Sequence, residues 1–137
     1  MIILPFTTAC DPESQYDFYI ENSLSEYVDV TWKDGLSISH ISNGKVMRAY
    51  AGKTQFIGQG HSTGTRNGQD FITNYPPGYY VVVFKVWVGE ETEPLEVKTY
   101  PTDWRYRQVS AKDNYGEYTL ILNQELIDKA RKAAEEE

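Results

Sequence analysis

The sequence predicts an antiparallel β-sandwich closed by one short C-terminal helix. Three observations carry that expectation. Apolar and polar side chains alternate over most of the chain, turn-forming dipeptides interrupt the runs at intervals near ten residues, and helical spacing appears only after Asn123. Period-two alternation marks a strand with one buried face, and many short strands separated by turn chemistry close into a sandwich or barrel. A parallel α/β sheet would need strands alternating with helices, a pattern this sequence lacks.

A chain of 137 residues holds one domain. At that size roughly two-thirds of the unfolded surface is buried on folding, so one ordinary core suffices. Residues 1–15 read as a signal remnant, lipid-anchor and tether segment, and residues 16–137 as the single sandwich domain.

The first predicted strand places Tyr16, Phe18 and Ile20 on one face and Asp17, Tyr19 and Glu21 on the other. After a polar break, Val28, Val30 and Trp32 alternate with Tyr27, Asp29 and Thr31. Asp34-Gly35 and Asn43-Gly44 both suit the two-residue hairpin turn that needs positive φ at its centre. They predict a meander through Leu36 and Ile38 to the run from Lys45 to Tyr50. Gln55 to Ile57 reads as a short strand ended by a glycine-rich loop from Gly58 to Gly68, and Asn74 to Gly78 is a firm break. Tyr79 to Val88 is apolar on both faces except at Lys85, which suits a central strand covered on both sides, and its valines favour strand over helix. Leu95 to Tyr100, Trp104 to Val109 and Tyr118 to Leu122 complete the strands. In the tail, Asn123 caps a helix whose apolar stripe is Leu126, Ala130 and Ala133.

The net charge of −7 and pI near 4.8 exclude the basic footprint that nucleic-acid binding requires. An anionic membrane surface would repel the chain as well. With one cysteine, Cys10, the chain can form neither an intrachain disulfide nor a cysteine metal cluster.

The opening Met1-Ile-Ile-Leu-Pro-Phe-Thr-Thr-Ala-Cys10 runs from apolar to small to a lone cysteine, and a polar stretch follows. It resembles the end of a bacterial lipoprotein signal, in which a small residue marks cleavage and the cysteine receives the lipid. The basic n-region and full apolar core of a secretory signal are missing, as expected if the start lies inside a longer signal. The alternative is an apolar strand carrying a buried, inert Cys10. In layout the chain resembles small surface lipoproteins of Bacteroidetes, with an opening strand Tyr16 to Asn22, a late Trp104 and a closing Tyr118-Thr119-Leu120. That resemblance implies an extracytoplasmic, lipid-anchored protein that meets the membrane only through Cys10. Asp113 to Leu120 also resembles the tyrosine-corner segment of immunoglobulin-like domains, which implies an immunoglobulin-like sandwich.

Catalytic patterns are sparse. Gly60-His61-Ser62-Thr63-Gly64 matches the G-x-S-x-G nucleophile elbow, which would make the Gly58–Gly68 loop the site of a small serine hydrolase. That chemistry needs a strand-to-helix turn and a later histidine to accept the serine proton, and the only histidines are His40 and His61. Glycine amides with Ser62 and Arg66 would instead suit a small anion. The two histidines lack metal-ligand spacing, and Glu90, Glu91 and Glu93 form an acidic turn without a calcium-loop pattern. Neither metal nor cofactor is expected.

Aromatic residues are 14% of the chain, with 11 Tyr, more than a small core absorbs. Exposed rings supply rigid contact area for a partner protein or a sugar. The candidate ligand-binding residues are therefore His61, Ser62, Arg66, Tyr75, Tyr79, Trp104 and Tyr106. The expected function is a non-catalytic extracytoplasmic binding or structural module for an unknown protein or glycan. A serine hydrolase and a cytoplasmic β-domain without an anchor are the alternatives.

Overall fold

A computed structural model of the chain describes residues 13–32, 45–63, 70, 72 and 78–136. Among them are eight strands: β1 (Glu13–Asn22), β2 (Val28–Trp32), β3 (Met47–Ala49), β4 (Thr54–Thr63), β5 (Val82–Val88), β6 (Leu95–Thr99), β7 (Trp104–Ser110) and β8 (Tyr115–Leu122). One helix, α1 (Gln124–Glu135), follows them. The strands form two four-stranded sheets, ordered β4-β1-β8-β7 and β3-β2-β5-β6. The protein is mainly β and sandwich-like, as the alternation predicts.

The inward faces follow the period-two pattern. Tyr16, Phe18 and Ile20 of β1 are fully buried, as are Leu120 and Leu122 of β8, and opposite them lie Val28, Val30, Val82, Phe84 and Val86. A run of rings joins the layers. Tyr118 stacks on Phe18 at 5.7 Å, Phe18 meets Trp104 edge-on at 6.2 Å, and Trp104 reaches Phe84 of the other sheet at 6.2 Å. Each such pair adds roughly 0.5–1.5 kcal/mol beyond the area it buries.

Five expectations need correction. First, the sheets are not wholly antiparallel, because β1 runs parallel to β8 from Gln15↔Tyr115 to Asn22↔Leu122. Alternation fixes which face a residue takes but not the direction of its neighbour. Second, β3 pairs directly with β2, Val28 opposite Ala49, and β5 takes the other side of β2, so β2 and β3 are neighbours rather than the first and third strands of a meander. Its turns, Asp34-Gly35 and Asn43-Gly44, with Leu36 and Ile38, lie outside the described residues.

Third, the glycine-rich segment opens as strand. β4 runs through Gly58 and Gly60 to Thr63 and pairs with β1, Tyr16 opposite Gly60 and Ser14 opposite Ser62. Between Phe18↔Gly58 and Tyr19↔Phe56 the register shifts, so β4 carries one extra residue, Ile57. That bulge buries Ile57 and turns Gln59 outward, where its Nε2 donates to Asp17 Oδ1 at 2.9 Å. Fourth, β5 is central but not covered on both sides, because Val83 and Trp87 are half-buried and Lys85 is exposed. Fifth, β1 begins at Glu13 and Ser14 is buried, so residues 13–15 are strand rather than tether.

Two polar side chains hold the layers in register. Asn22 is fully buried; its Nδ2 donates to Glu26 O and Ala49 O, both at 2.9 Å, and its Oδ1 accepts from Leu24 N at 2.9 Å. Thr99 Oγ1 accepts from Trp104 Nε1 at 3.1 Å and donates to Val82 O at 2.8 Å.

Tyr118 corrects the tyrosine-corner resemblance. Its hydroxyl donates to Asp70 Oδ1 at 2.5 Å and accepts from Ile72 N at 3.2 Å, more than forty residues upstream. A tyrosine corner bonds backbone only a few residues away. Here the ring instead pins Asp70 and the buried Ile72, which lie between β4 and β5, against the core.

Asn123 caps α1 as predicted, its side chain accepting from Leu126 N at 3.0 Å. The buried face is Leu126, Ile127 and Ala130, while Ala133 is exposed. The helix packs on β6, the outer strand of its sheet, and Arg131 Nη1 reaches Glu91 Oε2 at 3.0 Å in the β5–β6 turn. No helix among the described residues is long and apolar enough to cross a membrane.

Candidate functional site

The sequence-predicted site residues do not assemble into one place. Trp104 is buried in the core with its indole N–H committed to Thr99, so it is not a binding platform. Tyr106 also faces inward, its ring centre 5.1 Å from that of Tyr118 and its hydroxyl buried without a hydrogen-bond partner among the described residues. Burial, with Tyr16 and Asp70 nearby, pushes the Tyr106 pKa up to about 12. His61 is exposed on β4 with Nδ1 3.6 Å from Glu13 Oε1. Ser62 follows it inside the paired strand, so its backbone does not make the strand-to-helix turn of a nucleophile elbow. Tyr79 is exposed, at 65%. Cys10, His40, Arg66 and Tyr75 lie outside the described residues.

On the outer face of the first sheet, charged and polar groups are already engaged with one another. Asp17 is buried there and accepts from Gln59 and from the Tyr115 hydroxyl. Arg107 Nη2 pairs with Glu117 at 2.8 Å and Arg105 Nη2 with Glu21 at 2.8 Å. Burial and the bond to Asp17 hold the Tyr115 pKa well above the ordinary tyrosine value. Burial and Glu117 do the same for Tyr19. Both hydroxyls therefore stay protonated near neutral pH, and neither is an activated base or nucleophile.

The second sheet's outer face is similarly tied. Arg48 forms two bonds to the Asp29 carboxylate, at 2.8 and 3.0 Å, while its guanidinium lies 4.1 Å from the centre of the Tyr27 ring. The Tyr27 hydroxyl donates to Glu90 at 2.6 Å. With Glu91 paired to Arg131, two carboxylates of the acidic β5–β6 turn are spoken for. Among the described residues no group of three or more histidine, cysteine or carboxylate side chains is placed to hold a metal.

A different feature stands open. Between β6 and α1 runs a groove of about 220 Å³. Buried Val97, Leu126 and Ala130 supply its apolar lining, and exposed Lys98, Lys129 and Glu96 border it. The small side chains of Ala133 and Ala134 keep the helix wall low. At the end of β6, Val81 N donates to Thr99 O at 2.7 Å, and the preceding Tyr79 and Tyr80 are exposed, outside the groove lining. Lys98 links the two features, with its Nζ 5.9 Å from the Tyr80 ring centre. The groove offers open apolar surface bordered by two lysines and a glutamate, with no nucleophile–base pair among its lining residues.

Sequence reasoning found Tyr79 and missed the groove. Its walls come from segments about thirty residues apart, and alanines in a helix read as core rather than as empty space. No family model, curated protein or solved structure matches the chain.

Proposed function

We propose that this protein is a non-catalytic binding module of the cell envelope, held to the membrane by a lipid on Cys10, whose ligand docks in the groove between α1 and β6. The observation that carries the reading is that groove itself. It combines an apolar floor with Lys98 and Lys129 at its border, neither of them in an ion pair among the described residues, and Lys98 reaches the exposed Tyr80. The ligand class is a partner protein or a glycan, since both use exposed rings and apolar troughs as contact area.

What supports the anchor is the order of residues at the N-terminus, a small Ala9 before Cys10 and a polar stretch after it. What supports an immunoglobulin-like assignment is the pair of facing four-stranded sheets; the parallel β1–β8 pair and the strand order are this protein's own. Amide NMR tests the docking reading. Titration with a panel of envelope oligosaccharides and of peptides is expected to shift amides of residues 95–100 and 126–134, and shifts confined to other surfaces would overturn it. Intact mass of membrane-extracted protein tests the anchor: a diacylglycerol-sized addition at Cys10 supports it, and an unmodified cysteine removes it.

A further inference from the structure

We infer that the α1–β6 groove takes an extended segment of a partner protein as an added strand on β6, one whose side chains alternate between apolar and acidic. This rests on the docking reading above and names the ligand.

The backbone provides the first reason. β6 lies at the end of its sheet and pairs only with β5 among the described strands, in a ladder without a register shift from Val82↔Thr99 to Val86↔Leu95. Alternate N–H and C=O groups of such an edge point away from the sheet and offer hydrogen bonds to an incoming strand. Strand addition of this kind draws affinity from main-chain bonds and specificity from pockets that receive every second side chain.

The second reason is room. The groove borders β6, and α1 forms its far wall through Leu126, Ala130, Ala133 and Ala134. Larger side chains at 133 and 134 would close it.

The third reason is charge. The chain carries −7 overall, yet Lys98 and Lys129 outnumber Glu96 at this groove. Neither lysine is in an ion pair among the described residues. A bound strand repeats at period two, so apolar side chains meet Val97, Leu126 and Ala130 while acidic ones between them meet the lysines. A neutral sugar would leave the lysines without an opposite charge.

The test uses the peptide Glu-Val-Glu-Val-Glu-Val-NH2 carrying fluorescein on its N-terminal amine, and reads anisotropy together with amide NMR of the whole domain. Binding that shifts amides of residues 95–100 is expected. Methylating alternate peptide nitrogens, or making Lys98→Glu, weakens it about tenfold, the factor set by losing one interaction of 1.4 kcal/mol. Ala134→Trp blocks it, and unchanged melting of each variant shows that the fold is kept. Equal binding of a Lys-Val peptide overturns the charge argument. Binding indifferent to methylation overturns strand addition while leaving a docking groove. Sugar binding at these amides without peptide binding overturns the peptide and keeps the groove. If neither ligand moves them, both readings fall.

Discussion

Two tyrosines that face each other in the core predict opposite responses to loss of a hydroxyl. Tyr118 is 1% exposed, and its hydroxyl is bonded to the Asp70 carboxylate at 2.5 Å and to Ile72 N at 3.2 Å. Tyr106, with its ring centre 5.1 Å away, has a buried hydroxyl with no partner among the described residues. A hydrogen bond to a charged group contributes roughly 1.5–3 kcal/mol, while an unsatisfied buried hydroxyl costs about 1–3 kcal/mol. Tyr118→Phe therefore lowers stability by about 2 kcal/mol, and Tyr106→Phe raises it by about 1 kcal/mol. For a domain of this size 1 kcal/mol corresponds to about 4 °C in melting temperature, so the two variants separate by about 12 °C. Calorimetry of the wild type and both variants at neutral pH reads this directly. Hydrogen exchange at Ile72 should also accelerate in Tyr118→Phe, since that hydroxyl holds the segment down. If Tyr106→Phe melts as low as Tyr118→Phe, its hydroxyl is bonded after all and the account of this cluster is wrong.

Asn22→Ala removes three hydrogen bonds, two of them buried, and leaves Ala49 O and Glu26 O without that donor; a loss of about 3 kcal/mol in urea unfolding is expected. Thr99→Val strands the Trp104 indole N–H in the core, at a cost of about 1–3 kcal/mol, and a cost near zero would show that this bond is dispensable. The alkaline limb of stability tests Tyr106 again. Folded Tyr106 keeps its proton to about pH 12, whereas an unfolded tyrosine loses it near pH 10. Ionisation therefore costs no stability below pH 10 and lowers it progressively as pH rises from 10 to 12. Tyr106→Phe should flatten that decline, and an unchanged slope across the window would contradict the raised pKa.

The strands most legible in the sequence were those whose buried face is all apolar, such as Tyr16-Phe18-Ile20 and Val28-Val30-Trp32. The α1 cap at Asn123 was equally plain, because an asparagine before helical spacing has one obvious use. Pairing was less legible. Hydrophobic alternation states which way a side chain points and is blind to the partner strand, so the parallel contact of β1 with β8 left no trace in it. Glycines erased β4 between Gly58 and Thr63: without side chains to alternate, a bulged strand and a loop look alike. Asn22 and Thr99 were hidden for the opposite reason, since polarity argues for a turn or a surface until burial and three-dimensional partners are known. Trp104 and Tyr106 are candidate contact residues by sequence because many rings compete for a small core, and the core takes them by stacking rings across both sheets. The groove depends on how α1 is rotated. Ile127 and not Ala133 completes the buried face, a choice that Leu126 and Ala130 alone do not determine.

The edges of the two sheets show why the groove belongs at β6. Exposed strand edges invite pairing with other chains, and proteins blunt them by shortening, bulging or charging them. β3 has three residues, too few to template a partner. β4 is long but bends at the bulge around Ile57, which interrupts any continuous ladder. β7 carries Arg105 and Arg107 and shifts register between Gln108 and Ser110. β6 has neither bulge nor register shift, and what stands beside it is a helix that leaves a lined gap. An edge meant only to be sealed would be met by large apolar side chains, and α1 instead offers Ala130, Ala133 and Ala134. Under the proposed strand addition the edge is selective, because an entering segment must satisfy the floor, the lysines and the helix wall together.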